Sequence, residues 1–81
     1  MSREKYLSFA VNCFLDRLTR TGSEASDLVA TGRVNAAQYI ELRAAHKETL
    51  QAQKCLSKGN LDEAASYLET GQNIYRRMEP F

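Results

Sequence analysis

The tightest constraint on this chain is a joint of three residues, Lys58, Gly59 and Asn60, between two segments with helical apolar stripes. The first segment, 36–58, closes with Lys54 and Lys58, where cations suit the negative pole of a helix. Gly59 accepts the left-handed backbone of a helix stop. Asn60 then caps the second segment, 61–78, with Glu63 in the capping-box position and Asp62 beside it at the positive pole. A connection this short makes the two helices an antiparallel hairpin.

The start of the first hairpin helix carries its own signals. Asn35 is a suitable N-cap, Gln38 can reach back as in a capping box, and Val34 with Tyr39 fits a hydrophobic staple. Two apolar strips run along this helix. One is Tyr39, Leu42, His46, Leu50, Gln53 and Leu56; the other is Ala37, Ile40, Ala44, Gln51 and Cys55. Two strips imply a central helix packed on both sides, and its several alanines permit close approach. The last helix has one stripe, made of Leu61, Ala64, Ala65, Leu68, Gly71, Tyr75 and Met78, with Tyr67 and Ile74 at its flanks. Glu79, Pro80 and Phe81 form a tail that is expected to fray unless Phe81 docks.

Ahead of the hairpin, Leu7, Ala10, Val11, Phe14 and Leu18 keep the three-four spacing of a buried stripe over 3–20. Thr21 and Gly22 are expected to end that helix, which puts Arg17 and Arg20 in its last turns. Ser23 can cap a short helix over 24–31, anchored by Leu28 and Val29 and stopped by Gly32, and the alternative for this segment is a structured loop. The expected fold is therefore all-α, a three- or four-helix bundle with a long central helix and a C-terminal antiparallel hairpin. At 81 residues it is a single domain, 1–81, with one modest core, a size at which oligomerisation often adds stability.

The residues offer little chemistry. The net charge of +1 creates no field that would draw nucleic acid or an anionic membrane. Cys13 and Cys55 are too few for a disulfide framework and read as buried, reduced thiols of a cytoplasmic protein. The charged N-terminal residues, and the Asn12 and Asp16 that break the apolar run after them, argue against a signal peptide and a membrane span. The one histidine, His46, lies on an apolar strip and reads as a half-buried, hydrogen-bonded imidazole. Cys55, nine positions on, does not align with it as a metal ligand. No glycine-rich phosphate loop exists, and the carboxylates gather at helix starts, where the dipole explains them. The chain is expected to be non-enzymatic, with no cofactor, metal or small-molecule substrate.

What remains is surface. Tyr6, Phe9 and Cys13 fall away from the main stripe of the first helix and form a second apolar strip. Either it covers the edge of the bundle or it is an exposed patch that binds a protein partner, a second copy of the chain, or both. The leading expectation is a protein–protein interaction module: an adaptor, a small chaperone or an inhibitor. The alternative is a nucleic-acid-associated regulator that contacts phosphates through Arg17, Arg20 and Arg33.

Two stretches resemble known families. Within 52–71, the run Lys58, Gly59, Asn60, Leu61, Asp62, Glu63, Ala64, Ala65 resembles the middle of a tetratricopeptide repeat. Leu61 stands where that repeat has an aromatic residue, and there is one copy only, so the resemblance implies hairpin geometry and no peptide groove. Within 32–56, Gly32, Ala36, Ala37, Gln38 and Tyr39 followed by an amphipathic helix are similar to the small helical co-chaperones of type III secretion needle subunits. That likeness implies a helical hairpin that keeps an aggregation-prone partner soluble. The further C-terminal helix departs from that family's pattern.

Overall fold

The computed structural model describes residues 2–33 and 36–78. Three helices make up the fold: α1 (Arg3–Ala30), α2 (Ala36–Ser57) and α3 (Leu61–Arg77). α2 and α3 pack antiparallel. α1 runs alongside α3 in the same direction. Arg3 pairs with Asp62 at 2.8 Å near the start of both helices, and further along the Phe14 ring meets the Tyr75 ring edge-on with centroids 5.7 Å apart. α2 lies between the other two and carries most of the packing. The bundle is elongated, 43 × 19 × 16 Å.

The first helix does not end at Thr21 and Gly22, and there is no separate helix over 24–31: α1 is continuous for 28 residues. A glycine inside a helix costs about 1 kcal/mol against alanine. Continuing the helix keeps Ala25 five turns from Leu7 on the same face as Val11, Phe14 and Leu18, and all five are buried. It also leaves Leu28 and Val29 half-buried. That burial outweighs the one glycine. At the start of α1 the Ser2 hydroxyl accepts the Lys5 N–H at 3.2 Å, a cap that the sequence reading does not include.

The stops of α1 and α2 use the same device. Arg33 N–H donates to the Leu28 carbonyl at 2.8 Å and Gly32 N–H to Val29 at 3.0 Å, with Gly32 at φ 76°. Asn60 N–H donates to Cys55 at 2.9 Å and Gly59 N–H to Leu56 at 3.1 Å, with Gly59 at φ 79°. These paired bonds are the Schellman arrangement, which needs a residue at positive φ. It also overrides the capping box expected at Asn60, whose side chain makes no cap bond. The Asn60 amide is already committed to Cys55, so Glu63 has no donor there to reach. Its carboxylate instead accepts the Cys55 thiol at 3.8 Å. The cap and staple expected at Val34 and Asn35, and the tail at Glu79, Pro80 and Phe81, lie outside the described residues.

The α3 stripe is as expected: Ala64, Leu68, Gly71 and Met78 are buried, and Leu61, Ala65 and Tyr75 half-buried. α2 differs. Its buried residues are Leu42, Ala45, Thr49, Ala52 and Cys55. From the two expected strips only Leu42 and Cys55 are fully buried, while Ala37, Ile40, Ala44, Leu50 and Gln53 are exposed. Beyond Leu42, the buried face is a seam of small side chains. Thr49 satisfies its hydroxyl within the helix by donating to the Ala45 carbonyl at 2.8 Å, and α3 seats Gly71 against these two residues.

Candidate interaction surface

Leu7, Val11, Phe14 and Leu18 turn inward, which leaves the neighbouring face of α1 to solvent. Tyr6 is 61% exposed and Phe9 65%. Cys13 is an exposed free thiol, so the expectation of two buried cysteines holds only for Cys55. Tyr6, Phe9 and Cys13 therefore do not cover the bundle edge. They line one side of α1 over about 10 Å of helix axis.

The same face continues into charge. Arg17 and Arg20 are exposed and, with Ala10, Cys13, Phe14, Asp16, Thr21, Glu24 and Gln72, border an open groove of about 710 Å³ between α1 and α3. Arg20 donates to the Asp16 carboxylate one turn earlier, and this contact raises the Arg20 pKa above its ordinary value. Arg17 makes no ion pair with a described residue. Because α1 runs on to Ala30, neither arginine is in its last turn, which carries no basic residue at all. Helix-dipole stabilisation, which falls off within a turn of the end, does not account for them.

Arg33 lies past the end of α1, and roughly 16 Å of helix axis separates Arg20 from Thr31. The three arginines named as phosphate contacts are not brought to one place. Ile40, Leu50 and Tyr67, the other exposed large apolar side chains among the described residues, sit on α2 and α3, apart from the α1 strip.

His46 is half-buried beside Leu18, Gly22, Tyr39 and Leu42. Its ring makes no hydrogen bond to a described residue, contrary to the expectation of a bonded imidazole. Among the described residues, no group of three or more His, Cys, Asp or Glu side chains could hold a metal ion. No helix among them is long and apolar enough to cross a membrane.

Sequence reasoning found the aromatic half of the α1 face but assigned its cationic half to a helix end that is not there. The missed signal was the phase of Ala25, Leu28 and Val29, which continue the first stripe past Gly22. Compared with protein-family models, curated proteins and solved structures, the chain matches none of them.

Proposed function

We propose that this chain is a non-enzymatic protein-interaction module that binds through the exposed α1 face at Tyr6, Phe9 and Cys13. One observation carries the reading: two aromatic side chains one turn apart are each about two-thirds exposed on the longest helix, whose opposite face holds the core. Aromatic side chains in solvent forgo roughly 25 cal/mol for every Å² they could bury, and such residues are enriched where partners dock. An adaptor, a chaperone for an aggregation-prone partner, as the likeness of 32–56 implies, or an inhibitor would all use such a face.

Phe9→Lys tests it. Lysine favours the helix as well as phenylalanine does or better, and position 9 is outside the core, so helical content by circular dichroism is expected to be unchanged. Self-association by light scattering, or capture of a partner from the native host, is expected with the wild type and lost with the variant. Binding that survives Phe9→Lys refutes the site, and unfolding of the variant would place Phe9 in the core.

A further inference from the structure

We infer that the partner of the α1 face is a second copy of the chain, with the two α1 helices antiparallel and the two-fold axis at Cys13; this rests on the interaction reading above. The argument is the order of side chains along that face. Tyr6 and Phe9 stand seven and four residues before Cys13, and Arg17 and Arg20 stand four and seven residues after it. At 100° per residue all five fall in a sector of about 80° on α1. The face is therefore aromatic on one side of Cys13 and cationic on the other, at mirrored spacing.

An antiparallel pair centred on Cys13 sets the two halves against each other. Tyr6 of one copy comes opposite Arg20 of the second, and Phe9 comes beside the turn that carries Arg17. A guanidinium over an aromatic face is an attractive pair, and arginine forms it more often than lysine. Arg20 can stack while keeping its bond to Asp16. Glu24, on the same face, arrives at the first turn of the second α1, whose positive pole favours a carboxylate. A parallel pair would instead set Arg17 against Arg17 and Arg20 against Arg20. The complementarity thus selects both the partner and its direction, and the groove between α1 and α3 leaves the room.

Four aromatic side chains at roughly 150–250 Å² each, about two-thirds exposed, offer about 400–650 Å², and the four arginine stems bring the buried surface to about 1,000 Å² at most, the range of weak, transient contacts. The dimer is accordingly a weak one, populated between micromolar and millimolar concentration. Sedimentation equilibrium on the full chain should show the average mass rising from 9.1 kDa towards twice that value over this range. A short bismaleimide should then join Cys13 to Cys13, and peptide mapping should find that link rather than one through buried Cys55. Tyr6→Ala and Arg20→Glu should each weaken the dimer at least about tenfold and slow the cross-link. Moving the thiol along the same face of α1 to an exposed position fourteen residues on, with Cys13→Ser and Asp27→Cys together, should abolish the link, because the two copies of that position lie at opposite ends of an antiparallel pair but side by side in a parallel one. A monomer at all concentrations overturns the inference and leaves the interaction reading to the Phe9→Lys capture test. A dimer whose relocated thiols link as fast as Cys13 does overturns the register.

Discussion

A β-carbon on Gly71 would lie 2.6 Å from Thr49 Oγ1, 3.2 Å from the Ala45 carbonyl oxygen and 3.5 Å from Phe14 Cε2. Gly71→Ala therefore tests the close approach of α3 to α2. By helix propensity alone the change should stabilise α3 by about 1 kcal/mol. Against that, the first contact is well inside van der Waals range, and Thr49 cannot simply swing aside. Its side chain is fully buried, and its hydroxyl would lose the bond it donates to Ala45. Overpacking costs about 1–3 kcal/mol, and a lost buried hydrogen bond adds about 1 kcal/mol. The expected net effect is a destabilisation of about 1–3 kcal/mol, read from urea unfolding followed by circular dichroism. In thermal melts each kcal/mol corresponds to a fall of about 4–8 °C for a domain this size. The double variant Thr49→Ala with Gly71→Ala removes the offending oxygen, so the two changes should be less harmful together than their sum by about 1 kcal/mol or more. A Gly71→Ala variant as stable as the wild type, or changes that simply add, would refute the close seam.

Three further substitutions separate the other forces in the fold. Gly22→Ala should stabilise by about 1 kcal/mol in the same unfolding assay, because its β-carbon would meet only Leu42 Cδ2 at an ordinary 3.8 Å inside a continuous helix; destabilisation would mean that α1 breaks there. Leu18→Ala, at a side chain 2% exposed where α1 meets α2, should cost about 2–5 kcal/mol, enough to leave much of so small a domain unfolded. Asp62→Asn, which ends the exposed pair with Arg3, should leave the midpoint unchanged within error, since solvent screens such contacts; a clear loss would show that this pair fixes α1 to α3.

The hairpin was legible in the sequence because its signals are local. Gly59 marks a stop that only a residue at positive φ completes well, the carboxylates of Asp62 and Glu63 mark a start, and the α3 stripe keeps one phase from Leu61 to Met78. The same local logic named Tyr6, Phe9 and Cys13 as standing off the core stripe. Tertiary structure decided three things that local rules could not. It carried α1 through Gly22, because burying Ala25 in register with Leu7 outweighs one unfavourable residue. It chose the small-residue face of α2 over its larger side chains, because Gly71 lets α3 settle against Ala45 and Thr49 at a distance that no isolated helix encodes. By lengthening α1 it also removed the helix end that would have explained Arg17 and Arg20, and left them exposed on one face with the aromatics. Turn and cap chemistry acts over a few residues and can be read along the chain; which face of a helix is buried depends on the partner that arrives across space.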